Sequence, residues 1–247
     1  VFNGLKKQLC QAGQAFFLPI MLVLLTLFLP NFAGAAETKV IPRLAVGAAY
    51  NDNVLLSAED EVDSTIITVS PSLEFDYKTL LSNLSFKADL DILSYLDESD
   101  LDRTNQYYRL NGDHQIAERW TTSAELRFYR DTTLNSYLQE TGRVIDRFER
   151  DYFDAGGRVG YNLTNVSWIS AGYRFQTASY EGDVYSDYDS HSANLYFSHR
   201  LKSELDVLYI GPSYYYRTND LNDVDSFALN FGWKRDWSSI TSSDAAI

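Results

Sequence analysis

Cysteine, histidine and basic side chains are scarce in this chain of 247 residues. Cys10 is the only cysteine, and there are three histidines. Because residues 37–247 contain no thiol, they can form neither a disulfide nor a cysteine-based metal site. The formal net charge is −13, and it falls to −15 when Lys6 and Lys7 are removed. This acidic balance argues against nucleic acid as a partner.

Long apolar runs are missing after residue 36, and the one before it is typical of a secretory signal. Lys6 and Lys7 form a charged start, Ala15–Phe32 is apolar, and Ala33–Ala36 offers small residues for cleavage. We therefore predict a signal peptide over residues 1–36 and a single domain over residues 37–247. The alternative is an uncleaved anchor, since the run is nearly long enough to span a bilayer.

Aromatic side chains are abundant for so acidic a chain, with 18 tyrosines, 14 phenylalanines and four tryptophans. A disordered acidic chain would contain few of them. The aromatic belts of proteins that cross a membrane with β-strands use many.

Apolar and polar residues alternate in ten short segments after residue 36. In the last of these, Phe227, Leu229, Phe231 and Trp233 alternate with Ala228, Asn230, Gly232 and Lys234. A period of two predicts strands with one apolar and one polar face. The predicted strands are Val40–Tyr50, Thr65–Tyr77, Asn83–Tyr95, Gln106–His114, Thr121–Arg130, Tyr152–Tyr161, Trp168–Ser179, Ser192–His199, Val207–Arg217 and Phe227–Lys234. Beyond this rhythm of about 40 residues per hairpin, the sequence indicates no closer internal repeat.

The connections between these segments alternate between short and long. The short ones are Lys78–Ser82, Gln115–Trp120, Asn162–Ser167 and Leu201–Asp206. The long ones are Asn51–Ser64, Asp97–Asn105, Asp131–Asp151, Glu181–Ser190 and Thr218–Asp225. This pattern predicts an all-β, transmembrane, antiparallel up-and-down β-barrel with periplasmic turns and outer loops. Arg235 and the residues after it resemble a further turn into another strand, so we expect the chain to be cut short at its C-terminus.

Charged residues on the polar positions are the candidate functional residues. If these positions face a lumen, one wall is acidic and the other basic, which would orient charged solutes in a pore. The alternative is that they pair across a narrow lumen and plug it. The predicted lumen-lining charges are Glu74, Asp76, Asp89, Asp91, Arg158, Arg174, Arg200, Arg217 and Lys234.

Signals for catalysis, metals and cofactors are weak. The sequence has no Gly-x-Ser-x-Gly elbow, no His-Glu-x-x-His and no phosphate loop. Asp187, Asp189 and His191 are close in sequence. An Asp-His pair among them could activate water as in an outer-membrane protease, but this interpretation rests on fold-level analogy alone. Asp183 and its acidic neighbours lack the full calcium-loop pattern. We predict no enzyme, no metal and no cofactor.

One stretch carries a family resemblance. Residues Val46–Ser57 (VGAAYNDNVLLS), followed by Ile67–Leu73 (ITVSPSL), resemble the opening of the β-barrel porin type 2 family. The resemblance covers about thirty residues and implies a Gram-negative outer-membrane barrel, often associated with exopolysaccharide export or surface-protein systems. The family has no agreed catalytic residues, so it implies none here, and its members usually run longer.

Together these observations predict an outer-membrane pore or secretion accessory for polar solutes or exopolysaccharide. Its expected surroundings are outer-membrane lipid and lipopolysaccharide. A non-conducting surface adhesin or scaffold with acidic loops is the first alternative. A soluble β-sandwich tethered by an uncleaved helix is the second.

Overall fold

The computed structural model describes residues 36–55, 61–133, 148–182, 185–202, 205–236 and 242–246, and these form one antiparallel sheet. The predicted signal peptide lies outside the described residues except for its last position. The strands are β1 (Glu37–Asn51), β2 (Ser64–Lys78), β3 (Ser82–Tyr95), β4 (Arg103–Ala117), β5 (Trp120–Thr132), β6 (Glu149–Asn162), β7 (Ser167–Tyr180), β8 (Tyr188–Arg200), β9 (Asp206–Asn219), β10 (Asp223–Asp236) and the short β11 (Ser242–Ala246).

Each strand pairs with the next one along the chain, in the order β1 to β11. The all-β, antiparallel, up-and-down fold is therefore confirmed, and so is a further strand after Arg235. All ten predicted strands exist, but they extend further, to 13–15 residues. A 3₁₀ turn at Ser99–Leu101 precedes β4. No helix in the described residues is long and apolar enough to cross a membrane.

The connections alternate in length as predicted, with one correction. Thr218–Asp225 was expected to be a long loop, but β9 ends at Asn219 and β10 begins at Asp223. The Asn219 side-chain oxygen accepts hydrogen bonds from the backbone N–H groups of Leu221 and Asn222, at 2.9 and 2.8 Å. Asparagine closes a tight turn in this way because its short side chain replaces a backbone acceptor.

The sheet has two chemically different faces. We call the face that carries Glu74 the polar face and the opposite one the apolar face. The cross-strand pairs place every phenylalanine of the described strands on the apolar face. In the described strands, the exposed large apolar side chains that have a cross-strand partner lie there too, except Val224. Leu44, Val46 and Phe227 are 69%, 69% and 72% exposed, so no second layer formed by the described residues covers this face.

Packing on the apolar face occurs between neighbouring strands. Tyr77, Leu84 and Leu110 are buried against one another and contact Phe75 and Phe86, which lie in the same two cross-strand rows. Cross-strand pairs of aromatic and branched side chains stabilise a sheet by about 0.2–1 kcal/mol each.

Glycines on the polar face make room for large side chains of the next strand. A Cβ at Gly160 would lie 2.7 Å from Nε1 of Trp168, and one at Gly232 would overlap the Tyr209 ring. Gly160 and Gly232 are thus covered by the indole and phenol rings of adjacent strands, which replace the packing that a missing side chain would give.

Two hairpins repeat each other, which the sequence analysis did not detect. In the β3–β4 hairpin, Ser82 Oγ contacts Nδ1 of His114 at 2.7 Å; in the β7–β8 hairpin, Ser167 Oγ contacts Nδ1 of His199 at 2.8 Å. The offset between the hairpins is 85 residues (167 minus 82).

The same offset relates the loops at the other end of these hairpins. Asp102 accepts hydrogen bonds from Ser94 Oγ and the Tyr95 backbone N–H, at 3.2 and 2.6 Å. Asp187 accepts them from Ser179 Oγ and the Tyr180 N–H, at 3.0 and 2.9 Å. The sequence signal is sparse because the hairpins share the capping residues at their two ends but few of the residues between them.

The sheet's two edges do not pair with each other in the described residues. Because every neighbouring pair is antiparallel, β1 and β11 run in the same direction. Closure of the sheet into a barrel therefore remains a prediction.

Candidate functional site

The register brings all nine predicted charges to the polar face. Glu74 lies opposite Lys87, Asp89 lies opposite Ser72, and Arg174 lies opposite Gly156. A slip of one residue in any strand would have sent its charges to the other face. The nine residues on this face are Glu74, Asp76, Asp89, Asp91, Arg158, Arg174, Arg200, Arg217 and Lys234. Whether this face lines a lumen remains a prediction.

Basic residues also lie among the four predicted acids, and the sequence analysis did not select them. Arg43 Nη1 is 2.8 Å from Glu74 Oε2, and Lys87 Nζ is 2.9 Å from Asp89 Oδ2. Lys39 lies directly opposite Asp76. The polar face of β1 to β3 is therefore close to electrically balanced. Lys39, Ile41 and Arg43 occupy every second position and therefore share one face of β1. This spacing was the signal in the sequence that could have identified the two bases.

The polar face of β6 to β10 is basic. Arg158 and Arg200 are exposed, and the Arg217 guanidinium lies 4.0 Å from the centre of the Tyr188 ring. Among the described side chains on this part of the face, Asp154 is the one carboxylate. This half of the polar face therefore keeps a positive charge in a protein that is acidic overall.

A cluster of four charges lies at the β5 side of this basic part, and we call it the central cluster: Glu125, Arg127, Asp154 and Arg174. Glu125 forms ion pairs with both arginines. Asp154 Oδ2 is 3.2 Å from Arg174 Nη1 and 3.9 Å from Arg127 Nη1. Two acids and two bases make the cluster neutral. It joins β5, β6 and β7 across the polar face.

Asp154 is fully buried at the centre of this cluster, with 0% exposure. The Tyr152 hydroxyl donates to its Oδ2 at 3.4 Å, and so does the Gln176 amide at the same distance. Its Oδ1 has no hydrogen-bond partner in the described residues. A buried carboxylate is tolerated here because two guanidinium groups offset its charge.

Tyrosine rings form a ladder beside the central cluster. The centre of the Tyr129 ring is 5.7 Å from that of Tyr107 and 5.6 Å from that of Tyr152. Arg109 donates to the Tyr129 hydroxyl at 3.1 Å. Every aromatic residue on the polar face carries a polar group, in contrast to the phenylalanines opposite. Such rings suit a surface that is wet but still needs packing.

A recess of about 510 Å³ opens on the turn side of the central cluster. The polar face carries small residues there, and Gly156 and Gly172 form part of the floor, which leaves room for the recess. Its remaining lining on this face is hydrophilic and consists of Asn111, Asp113, Ser123, Glu125, Arg158, Arg174, Ser192 and Asn194.

The residues considered for a protease are engaged elsewhere. Asp187 caps the end of β7, as described above, and His191 Nδ1 lies 2.7 Å from the Tyr173 hydroxyl on the apolar face. Asp189 shares that face. No group of three potential metal ligands occurs in the described residues. Asp183 lies outside the described residues. The absence of enzymatic activity remains a prediction.

Comparison with known proteins gives solved structures only. No family model and no curated protein matches the chain, so the resemblance to the β-barrel porin type 2 family stays a prediction. OmpT, an outer membrane protein of Vibrio cholerae in its in-vitro folded trimer form, is 10% identical; the match covers 86% of this chain and 87% of that one, with a TM-score of 0.47. The Pseudomonas putida toluene transporter TodX is 13% identical, with 89% and 75% covered and a TM-score of 0.33. Both TM-scores are below 0.5, so neither similarity supports a conclusion about this chain.

Proposed function

We propose that the chain is the wall of an outer-membrane β-barrel that conducts polar solutes. The observation that carries this proposal is the sorting of side chains between two uncovered faces. In the described strands, phenylalanine is confined to one face and the nine predicted charges to the other. The apolar face of a sheet in a soluble protein is covered by a second layer of secondary structure, whereas the apolar face of a transmembrane sheet contacts lipid.

The height of the apolar face is close to that of the apolar band of a transmembrane barrel. On β6 it runs from Phe153 to Tyr161, and the charged residues Glu149 and Asp151 follow on the loop side. Asp151 pairs there with Arg130, at 2.6 and 2.5 Å. The eight residue steps span roughly 27 Å along the strand and roughly 21 Å at a tilt of about 40°. Transmembrane barrels have an apolar band of about 25 Å.

The turn-side end of the apolar face has the chemistry of a membrane interface. The Trp120 and Tyr161 rings lie 4.6 Å apart there, and Trp233 donates from its indole to Asp206 at 2.9 Å. Tryptophan and tyrosine favour the headgroup level because each has an apolar body and a polar tip. Lipid and lipopolysaccharide of the outer membrane are therefore the proposed surroundings, with the long loops on the outer side.

Water and polar solutes would then contact the polar face. Movement would be passive and governed by the width of the lumen and its charges. Exopolysaccharide is the finer proposal for the solute, and it rests on the family resemblance. The polar face supports hydrophilic solutes in general, since it presents charges, amides and phenolic hydroxyls.

Site-directed spin labelling tests the orientation of the faces. Residues 37–247 have no cysteine, so single cysteines can be introduced without removing others. Leu229 and Asn230 are neighbours that point to opposite faces of β10. A label at Leu229 should be relaxed by oxygen dissolved in lipid, and one at Asn230 by a water-soluble nickel chelate. The same accessibility at both positions would contradict the proposal.

Conductance separates the pore from a surface adhesin. The intact protein in a planar bilayer should give discrete channels. If labelling supports the orientation but no current passes, the protein is a non-conducting scaffold and its acidic loops are the candidate binding surface.

A further inference from the structure

The recess beside the central cluster contains Arg158, a cation that is not part of the ion pairs between the described strands. Arg158 lies on β6 opposite Ser123 and Gly172 and is exposed on the recess floor. In the part of the chain that the structure describes, its guanidinium has neither an ion pair nor a side-chain hydrogen bond. We propose that Arg158 and this recess form a binding site for a hydroxylated organic anion of monosaccharide size. This inference rests on the proposed function, because it needs the polar face to be wet.

The surrounding charges leave Arg158 as the group that attracts a ligand. Arg174 is already neutralised by Glu125 and Asp154. Asp113 lies on the same cross-strand row, two strands away, where Asn83 donates to it at 2.8 Å. Two strand spacings amount to about 10 Å, so Asp113 does not neutralise Arg158 directly. Asp113 would repel an anionic group and Arg158 would attract it, so the group would lie at the β6 side of the recess.

The lining of the recess favours a ligand with hydroxyl groups. Asn111 and Asn194 offer amides, Ser123 and Ser192 offer hydroxyls, and these groups surround the arginine. A guanidinium binds a carboxylate through two parallel hydrogen bonds, which fixes the orientation of the ligand. The recess volume of about 510 Å³ lies within the range of roughly 300–1,000 Å³ usual for small-molecule sites. No phenylalanine, leucine or isoleucine lines it.

Three sugars of the same size but different charge test the proposal. Glucuronate, glucose and glucosamine are titrated by calorimetry into the intact protein in detergent micelles. We expect glucuronate to bind, and glucose and glucosamine to bind at least about tenfold more weakly because they lack the charge-assisted pair. Arg158→Gln should weaken glucuronate binding by about tenfold or more and leave glucose unchanged. Arg119→Gln, in the exposed turn after β4, is the matched control and should change nothing.

The outcomes separate this inference from the proposed function. Equal affinity for the three sugars would overturn the anion site, and so would an unchanged glucuronate affinity in Arg158→Gln. An equal loss of glucuronate affinity in Arg119→Gln would show that the overall charge of the protein causes the effect, and it would also overturn the anion site. Far-UV circular dichroism of each variant checks the fold. The titration does not require conduction. If the protein conducts no current, the pore hypothesis fails, but the binding result still tests the anion site.

Discussion

Removal of the Asp154 carboxylate is the sharpest perturbation of the central cluster. Asp154→Ala takes away a fully buried acid that bridges β5, β6 and β7. The net charge of the cluster then rises from zero to +1. Arg127 and Arg174 keep Glu125 as a shared partner, so neither base is left without a counter-charge.

The expected loss follows from these contacts. The hydrogen bond from Arg174 is charge-assisted and contributes about 1.5–3 kcal/mol. The hydrogen bonds from Tyr152 and Gln176 are long, at 3.4 Å each, and contribute less. An unpaired buried charge would cost about 3–5 kcal/mol. Because Glu125 prevents that situation, we expect a decrease of about 2–3 kcal/mol in the free energy of unfolding. Asp154→Asn keeps an acceptor of the same shape and should lose about half as much.

Equilibrium unfolding in urea, followed by circular dichroism of the protein in detergent micelles, measures this loss. Asp113→Ala is the matched control, since Asp113 is an exposed acid on the same face with a single amide partner. It should cost about 0.5 kcal/mol or less. Equal losses in the two alanine variants would refute the reasoning, because burial and pairing would then make no difference.

Two further predictions concern the polar face. Gly160→Ala should destabilise the fold by about 1–3 kcal/mol in the same unfolding assay, because its Cβ would overlap the Trp168 indole; Gly47→Ala, with nothing within 4 Å, should not. Arg200→Glu should shift the reversal potential of the intact channel toward cation preference under a salt gradient, since Arg200 is exposed on the basic half of the polar face. Arg119→Glu should leave that potential unchanged, and an equal shift in both would contradict a lumenal position of Arg200.

Strand order and face could be predicted from the sequence because both follow from a period of two. The nine charges share one face only if the alternation along each strand is not interrupted by a bulge. The described strands have one register irregularity, between Gln115 and Ala117. It lies at the turn end of β4, beyond the charged positions of that strand, so the phase holds. The strand ends were harder to predict. Glu149 and Asp225 interrupt the apolar pattern although the ladder continues through them.

The central cluster could not be predicted from the sequence. Asp154 lies in an alternating segment in which its position reads as one polar residue among several. Its partners, Arg127 and Arg174, come from the two neighbouring strands, and their proximity depends on the exact register of both hairpins. Arg174 was selected as a lumenal charge, but Glu125 was not. Pairing between strands is a relation between distant positions, and a single sequence gives no measure of it.

The two faces and the cluster have one physical origin. A single-layer sheet has no core between layers, so its strands can be fixed only by contacts with their direct neighbours. On the apolar face those contacts are rings and branched chains such as Leu84 and Leu110. On the polar face, hydrophobic packing would leave apolar surface in water, and ion pairs within the face supply the specificity instead. Arg158 stands apart from that network. A charge that does not help to hold the strands together is available to a ligand, and this is why the anion site is placed there and not at the arginines of the central cluster.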